Sequence, residues 1–144
     1  MVDAASRVVP ASSRKGTGPG APTHHASSAE RSTVVSKAIV RAAELLGLSG
    51  AALARTIGVS EATASRLRAG AYALEPGTKP YELSVLVVRL YRSLDAVVGG
   101  DEASLRSWMV TPNRALGGVP RDMVQTATGL VATVDYVDAA RARV

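Results

Sequence analysis

The sequence contains no cysteine and no phenylalanine, and aromatic residues make up only 3% of its 144 residues. The absence of cysteine excludes disulfide bonds and thiolate metal sites. A core without phenylalanine must be built from alanine, valine and leucine, since hydrophobic residues still reach 47%. Such small aliphatic side chains suit closely packed helices better than a large β-sandwich. The composition therefore favours helices in one domain, or in two very small ones that share a core.

Signals for membrane insertion, secretion and metal binding are also missing. No run reaches the roughly 18 apolar residues that a bilayer span requires, and no apolar stretch precedes a cleavage site at the N-terminus. The two histidines, His24 and His25, are adjacent and have no second ligand pair, which is typical of tail residues rather than of a metal site. These absences predict a cytoplasmic protein with no cofactor, no metal and no membrane partner.

Positive charge is unevenly distributed along the chain. The formal net charge is +5, all of the excess lies within residues 1–80, and residues 81–144 are balanced. A sum of this size is common among soluble proteins, but its position matters if the first half of the chain contacts phosphates. The charge alone leaves both interpretations open.

Composition and periodicity divide the chain into four segments, which are residues 1–30, 31–80, 81–98 and 99–144. The first is rich in serine, alanine, glycine and proline, and it predicts a flexible tail because it has too little apolar surface to offset ordering entropy. The other three show helical spacing of apolar residues and no alternating strand pattern. A last helix is expected to start at Pro120 and to continue through Val137. The sequence therefore predicts an all-α fold.

Residues 53–68 carry the most informative pattern of the chain. The small side chain of Ala54 allows two helix backbones to approach closely, and Gly58 tolerates the positive φ of a tight turn. Apolar contacts that would lock the helix pair come from Leu53, Ile57, Val59 and Leu67. This spacing matches a helix-turn-helix, whose second helix enters the major groove of DNA. A plain helical hairpin is the alternative, and Ala64 departs from the larger β-branched residue that is commoner there.

Six positions of the predicted second helix face or adjoin the major groove, namely Ser60, Glu61, Ala62, Thr63, Ser65 and Arg66. The planar fork of Arg66 suits the two acceptors of guanine, Glu61 suits cytosine N4, and the Ala62 methyl suits a thymine methyl. Four side chains are better placed to hold phosphates and set the register, namely Ser60, Ser65, Arg55 and Arg68.

Residues 81–98 form the most apolar segment, and their stripe covers much of a helix surface. Such a helix must be buried centrally or paired with another chain. We favour a homodimer face, because helix-turn-helix proteins usually bind paired half-sites. Burial within one core is the alternative.

A second motif lies in the C-terminal part of the chain. Trp108 precedes Pro112-Asn113, a Leu116-Gly117-Gly118 turn and the helix that starts at Pro120. This order, after a helix-turn-helix, resembles the Xre/MbcA/ParS antitoxin family over roughly residues 35–140. The resemblance implies a helix-turn-helix bundle of residues 31–80 packed onto a small helical toxin-binding domain of residues 99–144.

The same resemblance implies a type II antitoxin. Such a protein holds a RES-domain toxin, which depletes NAD, in an inactive state. It also forms homodimers, and larger complexes with its toxin, that repress their own operon. We expect Trp108 to fill the core of the small domain, and four other motif residues to shape the connector, namely Pro112, Asn113, Gly117 and Gly118. Toxin contacts are then expected at exposed positions, namely Arg114, Arg121, Asp135, Asp138, Arg141 and Arg143.

No catalytic constellation accompanies these motifs. The carboxylates of residues 81–144 have no histidine or cysteine beside them, and Gly117-Gly118 is not followed by the lysine of a phosphate loop. An enzyme is therefore not expected. Two alternatives to an antitoxin remain, a stand-alone dimeric repressor without a toxin partner and an interaction module that has lost DNA contact.

Overall fold

The computed structural model describes residues 26–144, in which seven helices and no regular strand occur. In chain order the helices are α1 (Ser28–Leu46), α2 (Gly50–Ile57), α3 (Glu61–Arg68), α4 (Lys79–Val97), α5 (Glu102–Val110), α6 (Pro120–Met123) and α7 (Ala127–Arg141). The predicted all-α fold is confirmed. Most of the predicted tail, with His24 and His25, lies outside the described residues. None of the helices in residues 26–144 combines the length and the apolar character that a membrane span requires.

Helix α1 starts earlier than its apolar periodicity indicates. The Ser27 hydroxyl accepts a hydrogen bond from the Glu30 amide at 3.1 Å, and the Ser27 amide donates to the Glu30 carboxylate at 3.3 Å. This reciprocal capping box satisfies two backbone donors that a helix start would otherwise leave without partners. Residues 28–30, which composition assigns to the tail, are therefore helical.

Helix α4 lies at the centre of the core. It packs most extensively against α7 and α1, and it also contacts α2 and α5. Val87, Leu90 and Leu94 on its inner face are fully buried. The burial of so much of this apolar helix is thus explained within one copy of the chain, whereas a homodimer through its outer face stays a prediction.

The connector between α3 and α4 is fastened to α1 through Leu74. Its amide donates to the Ser36 hydroxyl at 2.8 Å, and its carbonyl accepts from the Ser32 hydroxyl at 2.6 Å. The Leu74 side chain is itself fully buried. Two side chains of α1 therefore satisfy both backbone groups of a buried loop residue, and they fix where α3 ends relative to α1.

The prediction of one continuous helix from Pro120 to Val137 is wrong. Pro120 does begin a helix, but α6 ends at Met123, and α7 begins only at Ala127. Thr126 is the N-cap of α7, and its hydroxyl accepts from the Gly129 amide at 3.1 Å. The chain folds back so tightly that a Cβ on Gly129 would collide with the Met123 carbonyl oxygen. Local capping by Thr126 and this close approach override the helical spacing of the apolar residues.

Candidate functional site

Helices α2 and α3 form a tight pair around the turn at Gly58. Gly58 has a φ of 74°, and its amide donates to the Ala54 carbonyl at 2.9 Å, as does the Val59 amide at 3.0 Å. Ala54 and Ala64, one from each helix, are almost fully buried. Ala64, which departs from the larger β-branched residue that is commoner at this position, is therefore part of the buried core.

The outer face of α3 presents the groove-facing residues of the sequence prediction together. Glu61, Ala62, Ser65 and Arg66 are exposed, and their spacing of one, four and five residues places them on one face of the helix. Thr63 lies beside them and is half-buried. The structure thus brings polar, charged and methyl groups together on one exposed surface.

Thr63 organises the side chains at the start of α3. The Ser60 hydroxyl caps the helix by accepting from the Thr63 amide at 3.1 Å, and it donates to the Thr63 hydroxyl at 2.9 Å. Arg66 Nη2 donates to the same Thr63 oxygen at 3.2 Å. Within the described residues no carboxylate lies within 4.0 Å of the Arg66 guanidinium. Arg66 is therefore oriented by a neutral partner, and its positive charge is left available.

Arg55 and Arg68, the two arginines predicted to hold phosphates, lie near opposite ends of α2, although Arg68 itself belongs to α3. The guanidinium of Arg68 lies over Gly50 at the helix start, where a Cβ would be 2.9 Å from Nη1. Arg55, in the last turn, donates from Nε to Gln125 Oε1 at 2.6 Å. Arg55 thereby connects the helix-turn-helix to the C-terminal part of the chain, a contact that sequence reasoning missed.

The turn between α5 and α6 is closed by Asn113 and Gly118. The Asn113 amide donates to the Gly118 carbonyl at 2.9 Å, and Asn113 Oδ1 accepts from the Leu116 amide at 3.1 Å. Gly117 has a φ of 81°, a conformation that favours glycine. Pro112 precedes this turn and is exposed. The motif residues of this segment are thus brought together as one compact turn.

Trp108 joins α5 to α7. Its ring stacks on that of Tyr136 with centroids 6.4 Å apart and planes inclined by 21°. Trp108 is half-buried and packs at the edge of the core. A shallow cleft that also includes Val98, Ser107 and Thr111 opens beside its ring.

The side chains expected to contact a toxin are spread over different environments. Arg114, Asp135 and Arg143 are exposed. Asp138 instead bridges α7 to α4, since it pairs with Arg89 at 2.7 Å and accepts from the Ser93 hydroxyl at 2.7 Å. Arg141 donates weakly to that hydroxyl at 3.4 Å, and Arg121 lies beside α2 near Gln125.

The polar contact between α4 and α7 was missed by sequence reasoning. Ser93 is almost fully buried, and the Asp138 side chain is only 24% exposed. These residues are 45 positions apart, and no spacing rule links them before α4 and α7 are known to pack together. Asp138 therefore has a role within the fold, whether or not a partner also contacts it.

The geometry of α2 and α3, together with the packing of α5 and α7 on α4, defines a helix-turn-helix protein with a second helical region. Comparison with protein-family models gives two matches. The family model of the antitoxin Xre-like helix-turn-helix domain matches residues 25–89, and the family model of the antitoxin Xre/MbcA/ParS C-terminal toxin-binding domain matches residues 93–143. The chain therefore belongs to the Xre/MbcA/ParS antitoxin family, and it is an antitoxin with a DNA-binding domain. The predicted family and domain order are confirmed. A search of curated proteins found no match.

Proposed function

We propose that this antitoxin neutralises a RES-domain toxin, which depletes NAD, and represses the operon that encodes both proteins. The observation that carries the proposal is that one chain combines an exposed Arg66 on α3, oriented by Thr63, with a toxin-binding domain over residues 93–143. The choice of a RES-domain partner is supported by the resemblance of the turn and helix that follow Trp108. Repression is supported by the exposed face of α3.

We place the toxin contact on the exposed part of the C-terminal domain, at Arg114, Asp135, Arg141 and Arg143. Asp138 is bound to Arg89 and Ser93, so its contribution is to position α7. Arg141 and Arg143 lie among the last four described residues and are exposed, and Arg141 Nη1 also donates to the Ser93 hydroxyl at 3.4 Å. In a cleft that is built for a dinucleotide they would compete by charge with the phosphates of the substrate.

Co-expression tests the antitoxin half of the proposal. The reading frame next to this gene is induced with and without this chain, while growth and cellular NAD are followed together. We expect growth arrest and loss of NAD from the neighbour alone, and rescue of both when the chain is present. Rescue should fail with the double variant Arg141→Glu and Arg143→Glu, whereas Arg66→Ala should still rescue.

Two outcomes contradict this assignment. A neighbour that is harmless in both conditions would favour the stand-alone repressor. Unchanged toxin affinity after charge reversal at Arg141 and Arg143 would remove these two arginines from the contact surface.

Arg66 carries the DNA-binding half of the proposal. Replacing it with alanine removes a guanidinium that suits guanine O6 and N7, so binding to the operator should weaken by about 1–3 kcal/mol with relaxed preference at one base position. Fluorescence anisotropy with a duplex from upstream of the gene, and with random DNA of equal length, measures this. Arg114→Ala, in the other domain, is the matched control. An equal loss on both duplexes would make Arg66 a phosphate contact only.

A homodimer is part of the same proposal. A symmetric pair of copies would place two α3 helices on two half-sites of an operator. The outer face of α4 offers Val85, which is 42% exposed, beside the half-buried Leu86 and Val88. We propose this face as the contact between the two copies.

A further inference from the structure

A polar cleft lies at the junction between the two domains. It has a volume of about 230 Å³ and is bordered by residues from both domains, namely Gly47, Ser49, Ala52 and Arg55 on one side and Arg121, Asp122 and Gln125 on the other. We call it the junction cleft. It contains two arginines, one from each domain.

The Arg55 side chain is held in the junction cleft by an oriented amide. Its Nε donates to Gln125 Oε1 at 2.6 Å, while Gln125 Nε2 donates to the Arg121 carbonyl at 3.2 Å. The amide is therefore fixed at both ends. Within the described residues the two terminal amino groups of Arg55 make no hydrogen bond and no ion pair, so they remain available as donors.

Arg121 places a second positive charge beside the first. Its side chain is 47% exposed, and the Asp122 carboxylate is 4.0 Å away and itself 68% exposed. An exposed pair at this distance is held weakly and is screened by salt. With two guanidinium groups against one carboxylate, the cleft has an excess of positive charge.

The junction cleft borders α2, the first helix of the helix-turn-helix, and this position indicates the kind of partner that fits the cleft. In a helix-turn-helix the first helix crosses the DNA backbone while the second enters the groove. Arg55 is exposed on that first helix, and the Arg55–Gln125 bond brings α6 alongside it. Arginine is a common donor to backbone phosphates.

We propose that Arg121, although it belongs to the toxin-binding domain, contacts the DNA backbone together with Arg55, and that the junction cleft accommodates a phosphate of the duplex. The C-terminal domain then contributes directly to DNA affinity. This inference rests on the DNA binding proposed above, and it replaces the expected toxin contact at Arg121. The phosphate contact would add affinity without adding sequence preference.

The test measures DNA affinity against salt concentration for the full chain and the variants Arg55→Gln, Arg121→Gln and Arg106→Gln. The probes are a labelled duplex from upstream of the gene and a random duplex of equal length. We expect Arg55→Gln and Arg121→Gln each to weaken binding equally on both duplexes and to reduce the salt slope by about 1 per protomer. Arg106→Gln, which changes an exposed arginine outside the cleft, should leave the slope unchanged, and circular dichroism verifies folding.

The outcomes separate this inference from the proposed function. If wild-type chain binds neither duplex, the DNA-binding proposal and the inference both fall. If wild-type chain binds and Arg55→Gln alters the slope while Arg121→Gln does not, DNA binding stands and the inference is overturned. An Arg121→Gln variant that loses toxin affinity but keeps its DNA affinity would return Arg121 to the toxin surface.

Discussion

Replacing Gly129 with alanine is expected to lower the free energy of unfolding by about 3 kcal/mol. The added Cβ would collide with the Met123 carbonyl oxygen and would lie 2.8 Å from the carbonyl carbon. Both are backbone atoms at the end of α6, so no flexible side chain can move aside. The start of α7 would have to shift, and the hydrogen bond from the Gly129 amide to Thr126 would be strained.

The sign of this effect makes the prediction specific. At an unhindered helical position the change from glycine to alanine normally stabilises by roughly 0.5–1 kcal/mol. Urea unfolding followed by circular dichroism distinguishes the two cases. Thr128→Ala, one position earlier and exposed, is the control and should remain within about 0.5 kcal/mol of wild type. A neutral or stabilised Gly129→Ala variant would contradict the close approach of α6 and α7.

Leu94→Ala is expected to destabilise the protein by about 2–5 kcal/mol. Leu94 is 0% exposed on α4, and its loss would leave a cavity in the core that α4 forms with its neighbours. The range reflects how far the surrounding side chains can close around the missing atoms. Loss of apolar burial and of packing contacts act in the same direction.

Val85→Ala, on the outer face of α4, is the matched control. If α4 is stabilised by the core of one copy, this change should alter the unfolding free energy of the monomer by less than about 0.5 kcal/mol. If the proposed homodimer forms there, Val85→Ala should weaken association in sedimentation experiments at a given concentration. A Leu94→Ala variant as stable as wild type would contradict the central position of α4.

The helix-turn-helix was predictable because its determinants are local. Ala54, Gly58 and the cap Ser60 lie within seven residues, and each fixes a backbone feature of its own neighbourhood. The capping box of Ser27 and Glu30 was equally local but was masked by the tail-like composition around it. The start of α1 could therefore also have been predicted from Ser27 and Glu30, but the tail-like composition of the segment led to the wrong assignment.

The rest of the candidate site depended on contacts between distant residues. Arg55 and Gln125 are 70 positions apart, and only the tertiary fold brings their side chains within 2.6 Å. The break before Ala127 was missed for a related reason, since the apolar spacing continues across it. Gly129 matters there because of what approaches it, which no periodicity reveals.

The uninterrupted course of α4 has a geometric consequence for the whole antitoxin. The match to the helix-turn-helix domain ends at residue 89, and the match to the toxin-binding domain begins at residue 93. Both positions lie inside α4, so a continuous helix and not a loop connects the two domains. One residue inserted between them would turn the following part of α4 by about 100° and advance it by about 1.5 Å, so Arg89 and Ser93 could no longer both reach Asp138 on α7. The orientation of the toxin-binding domain relative to the helix-turn-helix is therefore fixed by the side chains that pack around one continuous helix.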